Sequence, residues 1–120
     1  MRLISRNMIT GALVDTTAIL KTDKMTDLEL LVQYTRVSGA GAGDMSVYGA
    51  MDSEGAVKYL IGFAPILTGT ADTDGAVSYT TSLTGLYEIP GVHPYIYIDW
   101  NETTDPAKFT VDLIGVEDDD

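Results

Sequence analysis

Thr26 to Val37 reads TDLELLVQYTRV, and its alternation decides the fold. Leu28, Leu30, Val32 and Tyr34 fall on one parity, with Glu29, Gln33 and Thr35 on the other. Successive side chains of a strand leave opposite faces, so a period of two marks a strand with one face buried and one wetted. Leu31 and Val37 interrupt the polar parity, so part of the second face is expected to be covered as well. The stretch reads as a central strand with the other strands arranged around it.

The flanking stretches repeat the pattern. In Val92–Trp100, Tyr95, Tyr97 and Asp99 alternate with Ile96, Ile98 and Trp100. In Lys108–Val116, Phe109, Val111 and Leu113 are expected inward, with Thr110 and Asp112 outward. Asp44–Met51 places Met45, Val47, Gly49 and Met51 on one parity, and Ala56–Phe63 does the same with Val57, Tyr59, Ile61 and Phe63. Pro65 bounds that strand because proline donates nothing to a ladder. Gly75–Ser82 is β-prone but poor in large apolar residues, as an edge strand would be, and Leu83–Ile89 runs to a Pro90-Gly91 turn. Met8–Leu20 reads as one or two strands, bent at Gly11 or Asp15-Thr16. An acid-Gly-Ala-Val-x-Tyr pattern occurs twice, in DSEGAVKY at Asp52–Tyr59 and DTDGAVSY at Asp72–Tyr79, and each copy reads as a turn entering a strand.

No window supports an amphipathic helix. With turn signals roughly every 8 to 12 residues, the expectation is an all-β antiparallel β-sandwich of about eight or nine short strands, jelly-roll-like or immunoglobulin-like. A chain of 120 residues corresponds to one domain. The expected layout is a flexible basic N-terminal arm over residues 1–7, a sandwich over 8–117 and an acidic tail over 118–120. Arg2 and Arg6 precede any acid, whereas Glu117–Asp120 is EDDD. Such an arm could dock on a partner and gain main-chain hydrogen bonds there.

Seven Lys and Arg against eighteen Asp and Glu give a net charge of −11. That charge repels phosphates and anionic bilayers, so neither nucleic acid nor membrane is expected as a partner. No apolar run approaches the roughly 18 residues of a membrane span, and no apolar region follows Arg2 and Arg6 as a secretory leader requires. The absence of cysteine excludes disulfides and thiolate metal sites.

Candidate chemistry is thin. Ser38–Gly43, SGAGAG, lacks the lysine and hydroxyl of a phosphate loop and reads as a hairpin connection. Asp72-Thr73-Asp74-Gly75 begins like a calcium loop but lacks the later oxygen ligands, so it reads as a turn. His93 is the sole histidine, and no nucleophile elbow accompanies it or Ser82. No carboxylate pair stands out for glycoside hydrolysis. Trp100 with Tyr95 and Tyr97 could form a sugar platform, yet alternation puts Trp100 on the face opposite the tyrosines, which favours core or interface. Neither enzyme activity, a cofactor nor a metal is expected.

The run LELLVQYTRVSGAGAGDMSVYGAMDSEGAVKYL resembles small β-sandwich structural proteins of tailed-phage virions. Those proteins carry a strand ending in a "tRvSG" type turn, a Gly-rich connection, a further strand and an "sxDG" type hairpin. This chain departs at Asp52–Gly55, where two extra residues separate the acid from the glycine. The resemblance implies a capsid decoration (cement) protein stabilising the outer shell of a tailed-phage head, or else a tail or head-fibre component. Such a protein is made in the host cytoplasm, binds the major capsid protein and itself, typically as a homotrimer, and carries no activity. The residues expected to meet partners are Arg2, Leu3, Ile4, Arg6 and Trp100. The alternative is a carbohydrate- or receptor-binding module of a phage tail or head fibre, with Trp100 in its site.

Overall fold

The structure is a computed structural model that describes residues 2–36, 43–61, 64–65, 76–79, 82–102 and 107–117. Its ten strands among the described residues are β1 (Arg2–Ala12), β2 (Thr16–Lys21), β3 (Met25–Arg36), β4 (Gly43–Ala50), β5 (Lys58–Leu60), β6 (Ala64–Pro65), β7 (Ala76–Tyr79), β8 (Leu83–Glu88), β9 (Tyr95–Glu102) and β10 (Ala107–Glu117). One sheet has the order β1-β10-β3-β8-β6. The other has the order β2-β9-β4-β5, with β7 also pairing β4. All pairings are antiparallel, so the fold is the all-β sandwich that the alternation predicts. The count exceeds eight or nine because Ala56–Phe63 contributes only the three residues of β5, and Ala64–Pro65 then crosses to the first sheet as β6.

β3 is the middle strand of its sheet, between β10 and β8. Leu28, Leu30, Val32 and Tyr34 are buried along one side of it. Tyr87, Phe109, Val111 and Leu113 join them from β8 and β10, while Met45, Val47, Ile96, Ile98 and Trp100 face them from the second sheet. Each fully buried side chain of this size stabilises the fold by about 1.5–3 kcal/mol relative to exposure. The two buried sheet faces therefore form the core among the described residues.

The segment expected as a flexible arm is not one. β1 runs unbroken from Arg2 to Ala12, with Arg2 opposite Glu117 and Asn7 opposite Asp112. The physical reason lies on β10, whose outer edge would otherwise be unpaired, and in the core, which Ile4 and Ile9 help to fill. Register shifts follow Asn7 and Ile9, so the first six residues of β1 form its regular part and the rest is bulged. The acidic tail, Asp72, Asp74 and the SGAGAG connection up to residue 42 lie outside the described residues.

The two copies of the acid-Gly-Ala-Val-x-Tyr pattern share one partner. Lys58–Leu60 pairs with Tyr48–Ala50, and Ala76–Tyr79 pairs with Gly43–Ser46. An Ile61 N–H to Val47 C=O bond of 3.0 Å extends the first ladder. β5 and β7 thus lie along consecutive halves of the same strand.

Candidate docking surface

Arg2, Leu3, Ile4 and Arg6 sit on β1, at the edge of the first sheet. Arg2, Leu3 and Arg6 are exposed, Leu3 to 75 %, while Ile4 is buried in the core. Ile4 therefore holds β1 down and is not available to a partner, which corrects the expectation for that residue. A shallow groove of about 300 Å³ follows Arg2–Arg6. Arg2 donates to the Glu117 carboxylate at 3.2 Å across the pair with β10. Exposed ion pairs contribute little stability, so this contact orients the guanidinium more than it holds the strand.

Trp100 does not join this edge. It is fully buried in β9, stacked on Phe109, and its indole N–H donates to the Glu102 carboxylate at 3.1 Å. Phe109 lies opposite Ala12, at the far end of the β1–β10 pair from Arg2. The expectation that Trp100 meets a partner is thus overturned by burial: the face it shares with Ile96 and Ile98 is the core face. Burial pushes the Glu102 carboxyl above its usual range, against the lowering effect of the Trp100 N–H and the Ala107 backbone. Burial likewise raises the Tyr34 phenol, with the Glu102 charge adding to the effect.

A second exposed region surrounds β5, and alternation alone does not reveal it. Met51, Val57, Tyr59 and Leu60 are exposed on the β4–β5 hairpin, and Val92 on the turn before β9. The Tyr59 ring covers Gly49, where any Cβ would overlap it, and the hydroxyl meets His93 Nδ1 at 2.7 Å. His93 Nε2 lies 2.8 Å from the Pro90 carbonyl. A carbonyl only accepts, so Nε2 carries the proton, and in the neutral ring Nδ1 accepts from Tyr59. Both ring nitrogens are engaged, leaving none for Ser82, whose hydroxyl instead accepts the Arg36 N–H at 2.9 Å.

The hairpin tip is ordered by one carboxylate. Asp52 accepts backbone N–H groups from Glu54 at 3.1 Å, Ala56 at 2.9 Å and Val57 at 3.3 Å. These bonds, that from Ala56 foremost, hold its carboxyl below the usual range. Gly55 has φ +70° and lies against Tyr97, leaving no room for a Cβ. Lys58 Nζ sits 5.5 Å from the Tyr48 ring centre and 5.3 Å from that of Tyr97.

A hollow of about 470 Å³ between the start of β3 and the end of β8 is lined by Asp27, Glu29, Glu88 and the Ile89–Val92 turn, among others. Asp27 has φ +53°, opposite the register shift between Ile114 and Val116. Among the described residues no three of His, Cys, Asp and Glu are grouped closely enough to hold a metal ion.

No protein-family model and no curated protein matches the sequence. Among solved structures, the chain is similar to the SPBc2 prophage-derived protein YomS, with a TM-score of 0.62 and 16 % identity over 97 % of this chain and 94 % of that one. It is similar at a TM-score of 0.49 and 8 % identity to PirA, over 95 % of this chain and 93 % of that one. At such identity the first likeness shows a shared fold.

Proposed function

We propose that this chain is a non-enzymatic virion structural protein, a capsid decoration (cement) protein that docks on the outer shell of a tailed-phage head through the outer edge of β1. The observation that carries the reading is the regular six-residue edge Arg2–Asn7. Among the described residues it pairs with β10 on one side only, and it exposes Leu3 and presents two arginines on a chain of net charge −11. An unpaired edge offers a row of main-chain donors and acceptors to an extended segment of another protein. Arg2 and Arg6 would favour an acidic segment of the major capsid protein. The shared fold with a prophage-derived protein supports a phage origin. A carbohydrate- or receptor-binding module would need Trp100 at its surface, and the indole is buried in the core.

Co-sedimentation with empty capsids tests the reading. The wild-type chain binds saturably, and Arg2→Glu with Arg6→Glu abolishes binding while leaving the thermal melt in place. Removing residues 1–7 is the poorer test, because it also strips Ile4 from the core. Unchanged saturation by the double variant overturns the docking edge, and absence of wild-type binding overturns the function.

A further inference from the structure

We infer that the outer edge of β5 is a two-fold self-association surface, on which a second copy of this chain pairs its own β5 antiparallel about Tyr59. β5 ends its sheet, and among the described residues nothing pairs its outer side. All three of its residues are exposed, Leu60 to 54 %. Met51 and Val57 flank it in the same hairpin, joined by a Met51 N–H to Val57 C=O bond of 2.9 Å. Val92 precedes His93, whose ring meets the Tyr59 hydroxyl. Five large exposed apolar side chains are thus gathered around one open strand edge, and such clustering marks an interaction surface.

The charge pattern selects a second copy as the occupant. With −11 per chain, two copies repel each other over most of their surfaces. Residues 55–61 and 89–98 hold no acid and only Lys58 as a cation, and the nearby acids Asp52 and Glu54 sit in the turn between Met51 and Val57, off the register that an axis at Tyr59 would pair. A two-fold axis at Tyr59 sets Lys58 against Leu60 of the partner subunit, so no like charges oppose one another. The edge of β1 lacks this property: an axis at Ile4 sets Arg2 against Arg6 of the partner subunit, a destabilising pair. Pairing at β5 joins two sheets into one through an isologous contact, as closed dimers require. The expected assembly is therefore two-fold rather than the three-fold one that the resemblance implies. It is independent of docking through β1.

Sedimentation velocity of the full chain over a concentration series, at low and raised NaCl, tests the inference. A monomer–dimer equilibrium is expected that tightens with salt, because salt screens the net repulsion. Leu60→Lys opposes Lys58 of the partner subunit at both symmetry-related positions and should weaken the dimer at least about tenfold. Leu60→Glu faces the same lysine with opposite charge and should retain or tighten it. Both variants should melt as the wild type does, since Leu60 is exposed. A chain that stays monomeric at every concentration and salt overturns the inference, including one that instead binds zwitterionic vesicles. Equal effects of the two substitutions, or none from Leu60→Lys, also overturn it.

Discussion

Trp100 of β9 lies flat on Phe109 of β10, with ring centres 4.0 Å apart and planes 3° from parallel. The contact ties the two sheets together at one end of the sandwich, and Tyr34 tilts against the indole from β3 at 5.7 Å. Trp100→Ala should therefore cost about 3–5 kcal/mol in urea unfolding, as expected for a large aromatic removed from a core. A loss under 1 kcal/mol would mean that the indole does not pack as described.

The Asp52 carboxyl is held below its usual range by the backbone N–H groups it accepts. Its folded pKa lies below the unfolded one, so its ionised form stabilises the fold above the ordinary aspartate pKa. That contribution is lost as pH falls through the lowered folded value. Asp52→Ala should be less stable than the wild type at pH 7, with the gap closing in acid. Chemical denaturation at neutral and acidic pH checks this, and a gap independent of pH would contradict it.

Glu102 shifts the opposite way, its carboxyl raised chiefly by burial. Keeping it ionised costs stability above the raised folded pKa, and the cost disappears as pH falls to the ordinary glutamate value. Glu102→Gln keeps an acceptor for the Trp100 N–H but removes the charge. The variant should match or exceed the wild type in stability at pH 7, with its advantage shrinking toward pH 4. A less stable variant at pH 7 would show that the charge itself is needed.

Tyr59→Phe removes the hydroxyl that meets His93 Nδ1. The loss should be about 1 kcal/mol, typical of one hydrogen bond. In the wild type, nitrogen NMR of neutral His93 should show the proton on Nε2. A proton on Nδ1 would leave Nε2 facing the Pro90 carbonyl as two acceptors and would contradict this geometry.

The parity of side chains makes most of the core legible in the sequence. Leu28 to Tyr34, Ile96 to Trp100 and Phe109 to Leu113 all face inward as their alternation requires. Alternation failed where a strand is short or bends. Val57 and Tyr59 share a parity with Ile61, yet only Ile61 is buried, because β5 spans three residues at a sheet edge. Two arginines with no acid give the N-terminal residues the look of an arm in sequence, and the apolar signal of Ile4 and Ile9 that places them in a strand is split by the irregularity after Asn7. Trp100 was readable as core from Ile96 and Ile98 alone, and its aromatic type drew it toward a binding role. The apolar surface around β5 needs the pairing of Gly49 with Tyr59, a tertiary fact that no local pattern carries.

The strand that reaches the sandwich last in chain order, β10, occupies the slot between β1 and β3. During translation, therefore, the first sheet has a vacancy at its heart until nearly all of the described chain has left the ribosome. The earliest strand waits without its neighbour, and local pairing cannot substitute for it. Assembly of this sheet is thereby deferred until Ala107–Glu117 has been made, and a nascent chain stalled before Ala107 presents two adhesive ladders to its surroundings.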